Sequence, residues 1–122
     1  MSKKFTIIIP TFKNINYLKL CIESILKNSS ISHQLIIHIN GIDEETEFFL
    51  NQKKILYTKT DTNVGLCSGV NLAANKADTN YILYAHDDMY FLPDWDIRLD
   101  EEVMKIKHNN FYLSMTHISC MN

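Results

Sequence analysis

The residues with the clearest chemical potential are His86-Asp87-Asp88, which directly follow the apolar run Tyr81-Ile82-Leu83-Tyr84-Ala85. Two neighbouring carboxylates about 4 Å apart repel by roughly 4 kcal/mol at an effective dielectric near 20, and each raises the pKa of the other. A bound divalent cation removes that penalty. Where strand alternation continues, His86 and Asp88 share one side and Asp87 takes the other, so that Asp88 holds the ion while Asp87 accepts hydrogen bonds from a ligand hydroxyl. Magnesium or manganese suits a site with few protein oxygens that water and ligand phosphates complete. His86 reads either as a partner in that site or as an ordinary hydrogen-bonded strand-end residue.

Small polar residues also follow the other apolar runs: Pro10-Thr11-Phe12-Lys13-Asn14, then Asn40-Gly41-Ile42-Asp43, then Asn63-Val64-Gly65. Taken singly, each is a normal turn composition. Residues 63–71 lack the GxGxxG spacing of a dinucleotide fingerprint. Gly69 stands inside an Ala-rich helical pattern at a cost of about 1 kcal/mol relative to alanine, which fits a close approach either to a ligand or to another element. Phe12 either stacks on a base or forms an edge of the core.

These residues need a scaffold that brings strand ends together. The run Phe5-Thr6-Ile7-Ile8-Ile9-Pro10 is short, β-branched and apolar, as expected of a strand buried on both faces of a parallel sheet. Over residues 15–28, Leu18, Cys21, Ile22, Ile25 and Leu26 recur at helical spacing opposite Lys19, Glu23 and Lys27. The pattern then alternates: strand Leu35-Ile36-Ile37-His38-Ile39, helix 43–50, strand 55–59, a helix carrying Leu66, Val70, Ala73, Ala74 and Ala77, and strand 81–85. Helix 94–107 follows, with Trp95, Leu99, Val103 and Ile106 toward the core, acids in its first turn and Lys105 and Lys107 in its last. A final strand is expected at 111–115. This alternation predicts an α/β fold, a Rossmann-like, mostly parallel open sheet with helices on both faces. Ligands of such sheets lie at the carboxyl ends of the strands, where the direction of chain winding switches.

Composition narrows the partners. With 122 residues, of which 46% are hydrophobic, the chain suits one domain rather than two. A formal charge of −2 offers no electrostatic trap for nucleic acid, so any phosphate must be held locally. No apolar run is long enough to be a transmembrane segment, and no signal-peptide cleavage pattern is present. Cys21, Cys67 and Cys120 are widely spaced and form no CxxC pair, which together with the above leads to the expectation of a soluble, cytoplasmic protein with reduced thiols.

In order and spacing, these segments resemble the inverting family-2 glycosyltransferases of GT-A fold, over nearly the whole chain. Ile7-Ile8-Ile9-Pro10-Thr11-Phe12-Lys13-Asn14 is similar to that family's opening "IIPTYN" strand and loop, and Cys21-Ile22-Glu23-Ser24-Ile25-Leu26 to the helix after it. Asn63-Val64-Gly65 with Gly69 and Asn71 resembles its "NxG…GxN" segment. Residues 81–88 resemble the strand entering its DxD-type metal motif, and Leu92-Pro93-Asp94-Trp95 the segment that follows.

The resemblance implies a nucleoside-diphosphate-sugar donor, with Phe12 beside the base, Asp87 near the ribose, and Asp88 on a Mn2+ or Mg2+ ion bridging the diphosphate. Pro10, Thr11, Asn14, Asn40, Asn63, Gly65, Gly69, Asn71 and His86 complete the expected donor site. The acceptor, a glycan, lipid or protein, is not specified. Two departures stand out: Ile39 occupies the place of the acid that reads the base, leaving Asn40 or Asp43 as substitutes, and His86 replaces the first acid of the DxD-type triplet. No residue up to Asn122 matches the family's general base, so residues 1–122 are read as a single donor-binding domain, incomplete on its C-terminal, acceptor side. The alternative is a non-catalytic nucleotide-sugar-binding or assembly module. A nucleotidyltransferase is disfavoured because no Gly- and basic-rich loop follows the first strand. An exposed apolar face around Phe111, Tyr112 and Met115 would favour a homodimer.

Overall fold

β-branched runs build the middle of the sheet. In the computed structural model, which describes residues 3–107 and 111–113, β1 (Phe5–Thr11) is buried along its whole length and β2 (Gln34–Asn40) nearly so. β3 (Leu56–Thr60) pairs with β2, and β4 (Tyr81–Tyr84) pairs with β1. All pairs are parallel, in a four-stranded sheet of order β3-β2-β1-β4. The connecting helices are α1 (Ile15–Asn28), α2 (Glu44–Gln52) and α3 (Leu66–Ala74), and α4 (Trp95–Met104) follows β4.

Side-chain alternation sorts the helices between faces. Ile7, Ile9, Ile37 and Ile39 pack with Leu18, Cys21, Ile22 and Ile25 of α1, Leu50 of α2, and Trp95 of α4. Ile8 and Ile36 point the other way and meet Ala73 of α3. The chain winds outward from β1 to β3, then returns over the opposite face to add β4 on the free side of β1. The winding direction therefore switches between β1 and β4.

Pro10 marks where those two strands separate. The Ala85 N–H donates to the Ile8 carbonyl at 3.0 Å, so the backbone groups of Ile8 face β4 and, by alternation, those of Pro10 do too. The registered pairing of β1 with β4 ends at Ile8 and Tyr84. The N–H that proline lacks would thus have faced a gap, and its absence removes no ladder bond.

α4 is fastened to the corner between α1 and β2 by a buried carboxylate. Asp96 Oδ2 accepts from the Ser30 N–H (2.8 Å), the Ile31 N–H (2.9 Å) and His33 Nε2 (2.9 Å). Burial alone would raise its pKa, but the Ile31, His33 and Ser30 bonds outweigh it and hold the carboxyl below the usual carboxylate range. His33 stacks on Phe5, ring centroids 5.3 Å apart, and meets Trp95 at a tilt, 5.0 Å away.

The expected α/β alternation is present, and α1 spans the predicted residues. α4 is shorter than expected: it ends at Met104, so Lys105 caps it and Lys107 lies beyond, leaving no base in its last turn. Leu26 of α1 is exposed. Of the strand expected at 111–115, residues 111–113 are irregular, with the Phe111 ring 5.7 Å from that of Tyr81, while Ser114 and Met115 lie outside the described residues. Among the described residues, no helix is long and apolar enough to cross a membrane.

α3 lies unusually close to β2. A Cβ on Gly69 would sit 2.7 Å from His38 Cδ2 and 3.3 Å from Asn40 Nδ2, so of the two readings of this glycine, close approach to another element has a concrete cause. Gly69→Ala would gain about 1 kcal/mol of helix propensity but must push α3 off the strand. The net expectation is a loss of about 1–2 kcal/mol in unfolding free energy, measured by urea denaturation. A midpoint equal to or above that of the parent protein would show that the contact yields freely.

Candidate functional site

The carboxyl ends of all four strands form one rim, and the fork between β1 and the edge strand β4 lies toward one end of it. There the Thr11 hydroxyl donates to Asp87 Oδ2 at 2.8 Å. Thr11 is buried and Asp87 half-buried. A side-chain bond thus spans the gap that the backbone ladder leaves.

Strand alternation does not reach the acidic pair. β4 ends at Tyr84, and residues 86–89 form a turn in which the Met89 N–H donates to the His86 carbonyl at 3.3 Å. The expected split, with His86 and Asp88 on one side and Asp87 on the other, therefore does not follow from a strand. Instead, Asp87 turns to Thr11, Asp88 is exposed, and His86 Nδ1 lies 3.3 Å from the Tyr84 hydroxyl. Among the described residues, no cluster of three or more His, Cys, Asp or Glu side chains is placed to hold a metal.

Cys21 of α1 lies behind this turn, its Sγ 3.7 Å from the His86 carbonyl. Burial, reinforced by the negative charges of Asp87 and then Asp88, pushes its thiol up to about 12. The field around the acidic pair is accordingly negative.

The other half of the rim carries amides and backbone, with the Lys13 ammonium 5.8 Å from the centroid of the Phe12 ring. Gly41 leaves β2 with φ +89, and a Cβ there would lie 3.8 Å from Phe12 Cε1 and 3.9 Å from the Asn63 backbone nitrogen. The loops after β1, β2 and β3 thus meet at Gly41. Phe12 is 51% exposed, so its ring is not a core edge. Asn40 is buried, and its side chain faces protein: Oδ1 accepts from the Val64 N–H (3.2 Å), and Nδ2 donates to the Gly65 carbonyl (3.3 Å). Asn63 Oδ1 accepts from the Gly65 N–H at 2.9 Å, and Gly65, at φ +85, leads into α3.

The structure therefore brings together Thr11 with Asp87, Phe12 with Asn63 around Gly41, and Asn40 with Val64 and Gly65. Pro10 floors the fork, and Asn14 immediately precedes α1 without a side-chain cap bond. Gly69 lies beneath Asn40. Asn71 sits on the exposed side of α3, apart from the rim contacts described. A groove of about 230 Å³ lined by Phe5, Tyr81, Leu83, Leu99, Val103 and Phe111 contains none of these residues.

Two participants were not singled out from sequence. Cys21 read simply as a core residue. His38 read as part of an apolar strand, yet it is fully buried on the α3 face, with Nδ1 2.7 Å from Thr58 Oγ1 and Nε2 3.2 Å from Asn40 Oδ1. The available signal was its place two residues before Asn40, which puts both side chains on one face.

The sequence profile of Glycosyl transferase family 2 matches residues 6–122. Glycosyltransferase GlyA of Streptococcus pneumoniae is 25% identical over 118 residues, an alignment covering 89% of this chain and 17% of that protein. An uncharacterised glycosyltransferase of Rickettsia bellii is 29% identical over 117 residues, covering 93% of this chain and 16% of its own length. The crystal structure of S. aureus TarS 1-349 superposes with a TM-score of 0.75 at 16% identity, over 84% of this chain and 32% of that one. A second S. aureus TarS structure gives 0.65 at 19% identity, over 80% and 19%. At these identities the TarS likeness is one of fold.

The surroundings of Cys21 are testable with a thiol reagent. Iodoacetamide at about pH 8 is expected to label the exposed Cys67 and to label the native Cys21 at least about 100-fold more slowly. Peptide mass mapping separates the two sites. Comparable rates would show that Cys21 is neither buried nor held as a thiol by the acidic turn.

Proposed function

The chain belongs to glycosyl transferase family 2, and from that premise we propose that residues 1–122 form a donor-binding domain. The reaction it serves is transfer of a sugar, with inversion, from a nucleoside-diphosphate sugar to a glycan, lipid or protein acceptor. The observation that carries this reading is the 2.8 Å Thr11–Asp87 bond in the fork between β1 and β4, because it places an oriented carboxylate at the switch point of an α/β sheet.

The two halves of the rim suit the two ends of such a donor. Phe12 offers an exposed aromatic face to the base, beside the neutral backbone and amides of Asn63 and Gly65. Asp87, its Oδ2 engaged by Thr11, keeps Oδ1 for a ribose hydroxyl. His86 and Asn14 border the path to the diphosphate, and Asn71 is the outermost candidate contact.

The residues present fit a divalent cation of the hard, oxygen-seeking kind. Asp88 is exposed beside Asp87, in surroundings negative enough to help hold the Cys21 thiol protonated. Asp88 would be the carboxylate to hold a Mn2+ or Mg2+ ion there, with donor phosphate and water as the remaining oxygen ligands. When bound, it would neutralise charge on the departing nucleoside diphosphate. A cytoplasmic location, in keeping with the free Cys21 and Cys67, is part of the same proposal.

Calorimetry with UDP, GDP and dTDP tests the reading. At least one is expected to bind, with affinity raised about tenfold or more by manganese. Asp88→Ala should remove that cation dependence with the fold intact, and Asp87→Ala should weaken nucleotide binding itself. If none of the three nucleotides binds with or without manganese, the donor site is refuted.

A further inference from the structure

Beneath the Phe12 half of the rim lies a connected set of polar groups, in which Asn40, expected at the donor, instead turns to protein. His38 Nε2 reaches Asn40 Oδ1 at 3.2 Å, and Nδ1 reaches Thr58 Oγ1 at 2.7 Å. Asn40 in turn receives the Val64 N–H and donates to the Gly65 carbonyl. Gly69 allows α3 to lie directly on the imidazole edge.

The direction of every bond in this set is fixed by its neighbours. The Asn40 amide nitrogen donates to the Gly65 carbonyl, so Oδ1 is the acceptor, and His38 must present Nε2–H to it. Nδ1 then carries the lone pair that accepts the Thr58 hydroxyl. The imidazole is therefore the neutral Nε2–H tautomer, and its role is to hold one amide in one rotamer.

We propose that His38 and Asn40 are positioning residues, a buried bracket joining β2, β3 and α3 that fixes the 62–65 turn and so sets donor affinity without touching the donor. The dependence on donor rests on the nucleotide reading of the rim; the bracket itself does not.

A proton added at Nδ1 would force the Thr58 hydroxyl to reverse from donor to acceptor and place a buried charge where no counter-ion compensates it. The groups packed on His38 are Thr58 and Thr60 of β3, Asn40 of its own strand, Pro10 opposite it on β1, and Gly69 of α3. None of them ionises. Tyr57 and Lys59 alternate to the other face of β3, where both bond Glu47 of α2. Burial, opposed only partly by the Asn40 bond, holds the His38 pKa below its ordinary 6.5. The bracket is thus fully formed above about pH 6.5 and weakens as pH falls from there through the lower, folded-state value.

The test combines amide exchange at Val64, read by NMR, with calorimetric binding of UDP, GDP and dTDP in the presence of manganese. Asn40→Ala is expected to speed Val64 exchange about tenfold or more and to raise the nucleotide Kd by a similar factor. Ile8 and Ile9 in β1 should change less than about twofold. In the parent protein, Val64 protection, corrected for intrinsic exchange, should fall between about pH 7.5 and 5.5, and His38→Gln should abolish that dependence. A pH response that survives in His38→Gln, or a Val64 amide indifferent to Asn40→Ala, overturns the bracket. Should Asn40→Ala not fold, the pH arm with His38→Gln decides the matter. Failure of all three nucleotides to bind the parent protein refutes the rim's nucleotide reading, and with it the effect on donor, whatever Val64 does.

Discussion

Two adjacent parallel strands separate where one of them can no longer donate, and the candidate site depends on that separation. β1 and β4 pair up to Ile8 and Tyr84, the Ala85 N–H takes the next carbonyl, and Pro10 then has no N–H to offer. A backbone ladder continued past this point would have filled the crevice with main chain. The Thr11–Asp87 bond bridges the opening instead. It satisfies a buried hydroxyl and fixes one oxygen of a carboxylate, while the turn after β4 remains free to hold Asp88 in solvent. α1 and the β2 exit turn are then placed by their distance from the fork, since Phe12 must cover Gly41 within a few residues of Thr11.

Charge divides the rim in a way the net charge of −2 conceals. Around Asp87 and Asp88 the surroundings are negative enough to add to the effect of burial on Cys21. Around Asn40, Asn63 and Gly65 the groups are amides and backbone, and the imidazole beneath them is kept neutral. An elongated ligand with an uncharged heterocycle at one end and a cation-neutralised phosphate group at the other matches this division better than a uniformly anionic one, which would meet the acidic turn without compensation.

Much of this arrangement was legible in the sequence because the periodicities are clean. The isoleucine runs of β1 and β2 have no helical reading, and α1 shows its buried stripe at Leu18, Cys21, Ile22 and Ile25. Rim residues were legible as classes, since Thr11, Asn40, Asn63 and Asp87 all lie at or just beyond the carboxyl ends of strands. Their partners were not. Whether Asp87 faces Thr11 depends on where β4 stops, and alternation that ends with the strand at Tyr84, and does not continue through Asp88, redirects both carboxylates. The helix-ending charges of α4 misled for a related reason: Asp96 reads as a dipole partner for its own helix, yet it is fully buried and serves the Ser30 and Ile31 amides across the fold. Tertiary hydrogen bonds of this kind leave no periodic trace.

The polar patch under α3 shows why an apolar substitute would not do. A strand residue packed beneath a helix is ordinarily Ile or Val, as Ile36 is on this same face. At Asn40 the neighbours are the Val64 N–H and the Gly65 carbonyl, both main-chain groups of a turn drawn against the sheet. Filling that position with an aliphatic side chain would remove both bonds and leave the turn held to the sheet by neither. Asn supplies one acceptor and one donor at the required places, and those two bonds fix its orientation. The Nε2–H of His38 adds a further bond to the same oxygen. The imidazole then fills the room that a helical side chain at position 69 would need, so the glycine in α3 follows from the histidine, the histidine from the asparagine, and the asparagine from the turn it holds at the rim.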